Sequence, residues 1–89
     1  MSKRISYKVN GKVQGVCFRA YTVEEANKLG VTGYVKNAAD GTVTGEAQGD
    51  DKKIQEFVQW LNKGPSAARV SGVEHSDIEP KQGEDGFKQ

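Results

Sequence analysis

The sequence predicts an α+β domain in which two helices cover one face of an antiparallel sheet. Three observations predict it. Ile5, Tyr7, Val9 and Val13 fall on odd positions between Ser6, Lys8 and Lys12, which is the period-two pattern of a half-buried strand. Ile54, Phe57, Val58 and Leu61 fall at i, i+3, i+4 and i+7, the stripe of a helix packed on a core. Ten Val against two Leu favour strands elsewhere.

The first strand runs into Gly11 and Gly15, where the backbone turns. Ala20, Val23, Ala26 and Leu29 then repeat every three residues, with Lys28 and Gly30 as stop signals. Thr22 and Glu25 form a capping box, or else lie in the first turn of a helix that begins near Arg19. Val31, Gly33 and Val35 alternate, Asp40-Gly41 signals a hairpin, and Val43, Gly45 and Ala47 form the return strand. Gly45 weakens that strand unless something packs closely there. Asp50 and Asp51 cap the second helix, which Lys63-Gly64-Pro65 ends. A last main strand spans 69–78, and the opposite parity of Val70 and Val73 predicts a bulge at Ser71-Gly72. The tail from Gly83 to Gln89 is polar except for Phe87, and a short terminal strand there is left open. With right-handed crossovers, the order β-α-β-β-α-β gives the split βαβ, or ferredoxin-like, arrangement.

Eighty-nine residues make one domain at most, spanning 1–89. Ile, Leu, Val and Phe make up 18 of the 89, a lean core at the border of disorder. The net charge of only +1 argues for folding and excludes a large basic face for nucleic acid. A single cysteine, Cys17, excludes an intrachain disulfide. Met1-Ser2-Lys3-Arg4 leads straight into a strand pattern, and no run approaches the ~20 apolar residues of a membrane span. A soluble cytoplasmic monomer is therefore expected, with no membrane or nucleic-acid partner.

Two polar segments stand out. Gly11-Lys12-Val13-Gln14-Gly15-Val16-Cys17-Phe18-Arg19 joins the first strand to the first helix. Such a loop points backbone N–H groups at one spot, and the helix dipole favours an anion there. Arg19 adds a planar fork of donors suited to phosphate. On spacing alone, an anion cradle and a plain turn with a solvated arginine stand level. Asn37 ends the second strand on the parity of Val31, Gly33 and Val35. Taken alone, it is better read as satisfying the turn backbone, as Asn often does.

Taken together, the two segments resemble the acylphosphatase family. Residues 11–19 match every specified position of the pattern G-x-V-Q-G-V-x-F-R. Gly33-Tyr34-Val35-Lys36-Asn37, Gly41, Val43 and Gly49 match the family's second signature. The resemblance implies hydrolysis of acyl phosphates to a carboxylate and inorganic phosphate, which is both product and inhibitor. It implies that Arg19 binds the phosphate and that Asn37 holds the attacking water. The backbone of Gly15, Val16, Cys17, Phe18 and Arg19 would complete the cradle. A carboxylate leaves readily, so positioning and charge stabilisation suffice. No cofactor or metal is expected, because one Cys and one His, far apart, give no ligand set.

Other readings rank lower. A cysteine-dependent phosphatase separates its cysteine and arginine by five residues, whereas Cys17 and Arg19 enclose one, so Cys17 reads as filler. His75 reads as a surface residue. A non-catalytic phosphate or carboxylate-binding module on the same fold is the main alternative, and Asn37 argues against it. A single-strand nucleic-acid binder needs stacked aromatics, and Tyr34 is the only one in the two middle strands.

Overall fold

In the computed structural model, which describes residues 2–15 and 17–89, alternation and helical periodicity give the expected elements. These are β1 (Ser2–Lys12), α1 (Phe18–Leu29), β2 (Thr32–Asn37), β3 (Val43–Asp50), α2 (Asp51–Lys63), β4 (Arg69–Ile78) and β5 (Phe87–Lys88). The sheet order is β4-β1-β3-β2-β5. The first four strands pair antiparallel. The wholly antiparallel sheet needs correction at one edge, where β5 pairs parallel to β2 through Gly33–Phe87 and Tyr34–Lys88. The reason is the route of the tail. It leaves β4 at one edge of the sheet and joins β2 at the other.

That route is held by an ion pair on the outer face. Arg4 Nη1 and Nη2 donate to the two carboxylate oxygens of Glu84 at 2.8 and 3.2 Å. Its Nε donates to Glu46 at 2.9 Å, and Nη1 also reaches Gln48 at 3.1 Å. Gln48 adds two bonds to the Lys81 backbone. Arg4 is buried beneath this strap, and its ionisation is raised further above the ordinary arginine range, chiefly by Glu84. Beyond the strap, Phe87 turns inward and its ring lies 5.6 Å from that of Phe57.

The core lies between the odd-numbered face of β1 and the helices. Ile5, Val9, Val35, Val43, Ala47, Phe57 and Leu61 are solvent-free. In α2, Ile54, Phe57 and Leu61 are buried as their spacing requires, and Asp50 caps the helix by accepting from Lys52 N at 3.2 Å. In α1 the buried face is Phe18, Thr22 and Ala26, one residue in four, and Ala20 is exposed. Thr22 therefore belongs to the helix interior rather than to a cap. Its hydroxyl is satisfied by donating to Phe18 O at 2.8 Å. The bulge falls at Ser71, which is skipped between the Asn10–Gly72 and Gly11–Val70 pairs.

Gly45 has a specific cause. The Tyr7 ring passes over it, and Tyr7 Oη donates to Tyr34 O at 2.7 Å. A Cβ at Gly45 would overlap the Tyr34 carbonyl oxygen and the Tyr7 hydroxyl, and would lie 2.7 Å from Tyr7 Cζ. Burial also pushes the Tyr7 phenol well above its ordinary range, so it remains a donor. Gly45→Ala should therefore cost at least the upper end of the roughly 1–3 kcal/mol typical of overpacking. Tyr7→Phe, which only removes the bond to the Tyr34 carbonyl, should cost about 1 kcal/mol. Urea unfolding of both variants checks the order, and an alanine that costs less than the phenylalanine would contradict the packing described.

Candidate active site

The strand register decides which residues meet. Val9 pairs with Val43, and Val43 pairs with Asn37, so these three lie in one row across β1, β3 and β2. The β1–α1 loop leaves β1 just beyond that row. It therefore lies at the same end of the sheet as Asn37 and the β2–β3 hairpin.

The loop is anchored at both ends by buried apolar residues, Val13 and Phe18. Between them the backbone turns left-handed at Gly15 (φ 76°) and at Cys17 (φ 58°, ψ 23°). A left-handed residue beside a right-handed one, as Cys17 is beside Phe18, gathers neighbouring N–H groups into an anion-binding concavity. Cys17 is the N-cap of α1, and its side chain makes no capping bond. In the first turn, Tyr21 N bonds Cys17 O at 3.1 Å. The N–H groups at its start are the ones a helix leaves for a ligand. Val16, expected to contribute its backbone, lies outside the described residues.

A cleft of about 350 Å³ opens over this helix start. Val13, Gly15, Cys17, Phe18, Arg19 and Asn37 line it, together with Ala20 and Gln89. Arg19 and Asn37 are both exposed, and neither side chain bonds to a described residue. A larger hollow of about 700 Å³ lies beside α2, lined by Ile5, Ile54, Val58 and several polar residues. It lacks the uncapped helix start. His75 is exposed on β4, as the sequence suggested. Among the described residues, no three of His, Cys, Asp and Glu come together.

The hairpin is tied without Asn37. Gln14 Nε2 donates to both Ala38 O and Thr42 O at 2.9 Å. Ala38 N bonds Thr42 O at 2.9 Å, and Gly41 N bonds Ala38 O at 3.2 Å. Asp40 Oδ1 accepts from Thr42 N at 3.0 Å and Thr42 Oγ1 at 2.6 Å. The turn-binding role that sequence suggested for Asn37 therefore belongs to Gln14 and Asp40. Sequence reading gave Gln14 no role beyond its place in a motif. Its only signal was a polar residue between an inward Val13 and a turning Gly15.

The charge of the cleft limits what it can hold. It offers a helix N-terminus, a guanidinium and the neutral amides of Asn37 and Gln89, and none of its lining side chains is acidic. Such a lining suits a small anion better than a cation. The family model described as acylphosphatase matches residues 5–89. Acylphosphatase-2 of Gallus gallus is 50% identical over 76 residues, covering 84% of this chain and 74% of the relative. An acylphosphatase structure from Coxiella burnetii superposes with TM-score 0.92 at 37% identity, covering 98% of this chain and 90% of that one. One from Bacillus subtilis gives 0.92 at 32% identity, covering 99% and 97%. The chain belongs to the acylphosphatase family and is a hydrolase of that kind. None of its described helices is long and apolar enough to cross a membrane.

The hairpin tie gives the site an acid limit. The Thr42 donors hold the Asp40 carboxyl down to about 2, with Lys8, 3.3 Å away, adding to the effect. A lowered pKa means that folding favours the charged form. The stability it contributes is complete above the unfolded value of about 3.9 and is lost as pH falls through about 2. Glu84, lowered mainly by Arg4, acts in the same direction. Thermal melts between pH 5 and 2 should show wild-type stability falling in that window, and Asp40→Asn should fall less steeply. Parallel curves would mean that the Asp40 bonds do not couple to folding.

Proposed function

We propose that the chain acts as a single-domain, monomeric, cytoplasmic acylphosphatase that needs no metal or cofactor. Its substrate is a small acyl phosphate, and Arg19 and Asn37 divide the chemistry. The phosphoryl oxygens sit in the cradle formed by the backbone N–H groups from residue 15 to residue 19, and the Arg19 guanidinium closes it. Asn37, opposite, accepts from and donates to one water and holds it in line with phosphorus. An amide is no base near neutral pH, so the phosphate oxygens take up the water proton. The carboxylate departs without a general acid. Rate enhancement then comes from positioning and from fixed donors facing the charge of the transferring group.

The observation that carries this reading is the convergence on one cleft of an uncapped helix start, Arg19 and Asn37. The freedom of the Asn37 amide supports it over a non-catalytic phosphate or carboxylate-binding module. Such a module gains nothing from a neutral amide held at the strand end and not used by the hairpin.

The test pairs phosphate binding by calorimetry with steady-state hydrolysis of a small aromatic acyl phosphate, run with chelator present. Chelator should leave the wild-type rate unchanged, and phosphate should compete with substrate. Arg19→Lys keeps the charge but loses the bidentate fork, so phosphate affinity and turnover should both fall. Asn37→Ala should bind phosphate nearly normally and lose turnover alone, by roughly two to three orders of magnitude. That is about 3–4 kcal/mol confined to the chemical step. The roles are wrong if Asn37→Ala abolishes phosphate binding, or if Arg19→Lys behaves as wild type.

A further inference from the structure

Cradle and hairpin come from different parts of the chain, and both run beyond the last strand pairs of the sheet they share. Each is internally braced. Val13 and Phe18 bury the two ends of the loop. The Ala38–Thr42 backbone bond and the Asp40 side chain close the hairpin. Neither brace sets the distance between the two.

The Gln14 side chain spans that gap. Its Nε2 spends both hydrogens, on Ala38 O and on Thr42 O, each at 2.9 Å. Two carbonyl oxygens can be faced only by the NH₂ end of the amide, so its orientation is fixed. Ala38 follows Asn37 in the chain, and Thr42 precedes Val43, the residue paired with Asn37. The amide thus grips both limbs of the hairpin at its mouth, one residue beyond the Asn37–Val43 pair. On the other side, Gln14 directly precedes Gly15, where the cradle backbone turns left-handed. The chain atoms from the Gln14 Cα to its Nε2 are a spacer of fixed length between cradle and Asn37.

We propose that Gln14 is a positioning residue that sets the separation between the phosphate cradle and the Asn37 amide, and so between phosphorus and the attacking water. The inference rests on the roles given above to Arg19 and Asn37. In-line attack tolerates little error, since a displacement of about 1 Å costs about a hundredfold in rate. Gln14 touches neither phosphate nor water in this account. Its effect passes entirely through Asn37.

That routing gives a test which a purely structural role would fail. Gln14→Met keeps the length of the side chain and removes both donors. Its kcat on the aromatic acyl phosphate should fall about ten- to hundredfold, while calorimetric phosphate affinity changes less than about threefold. The second measurement repeats the substitution in the Asn37→Ala background. With no amide left to position, Gln14→Met should then change kcat less than about threefold, a strongly non-additive cycle. Equal losses in both backgrounds would make Gln14 a structural residue and overturn the proposal. So would an unchanged kcat in the single variant. If Asn37→Ala alone keeps its kcat, the underlying site reading fails and the inference falls with it. If Asn37→Ala loses turnover and Gln14→Met does not, the inference alone fails. Should the methionine variant not fold, Gln14→Leu, neutral and likewise without N–H donors, takes its place in the same cycle.

Discussion

Tyr7 lies across Gly45 and donates to Tyr34 O, and this crossing ties three strands together at one point. Its side chain starts on β1, passes over β3 and ends on β2. A register slip of one residue would turn the odd-numbered face of β1 outward. A slip of two would set Val43 or Ala47 under the tyrosine ring, where only glycine leaves room. The row Val9–Val43–Asn37 follows from this register. So does the placing of the β1–α1 loop and the β2–β3 hairpin at one end of the sheet. The site is thus a consequence of packing two pairs further along the strands.

The outer face solves a different problem. It lacks helices, and the chain covers part of it with its own tail. Burying the Arg4 guanidinium is costly unless its donors are met. Glu84, Glu46 and Gln48 meet them with good geometry, and no buried side-chain polar atom among the described residues is left without a partner. The arrangement ties the tail to β1 and β3. It fixes where residues 81–86 run, and from there Phe87 reaches the core beside Phe57. The parallel edge strand that results has only two residues, yet it brings Gln89 into the lining of the cleft.

What was legible in the sequence was whatever rests on local periodicity. β1, α2, the hairpin and the Ser71 bulge follow from alternation, helical spacing and turn residues, all read within a dozen positions. The inward face of α1 was legible only in part. Its stripe is completed by Thr22, a polar residue whose hydroxyl bonds within the helix, while Ala20 faces solvent. β5 was not legible, because one Phe in a polar tail is no pattern. Its position depends on a bond between residues 80 apart in the chain. The two motif segments announced Arg19 and Asn37, but parity alone suggested an amide on a core face. Asn37 keeps that parity and is nonetheless exposed, because the core stops at Val35. Gln14 was invisible for the same reason as Arg4. A polar side chain shows its partners only after distant strands are in register.

In the site proposed above, a neutral amide opposite the cradle has an electrostatic logic. A carboxylate at position 37 could also orient water, and would do so as a better base. It would also face the phosphoryl oxygens. Two like unit charges 4 Å apart repel by about 4 kcal/mol at an effective dielectric near 20. That cost would fall on substrate binding, for which the proposal relies on the attraction of the cradle and Arg19. A strong base, in turn, gains little when the leaving group is already a carboxylate and the transition state is loose. An amide keeps the directional hydrogen bonding and removes the repulsion. It also has no charge to hold it in place, so its geometry must come from the backbone beneath it. The bonds that Gln14 and Asp40 make to the hairpin are what give that backbone one position.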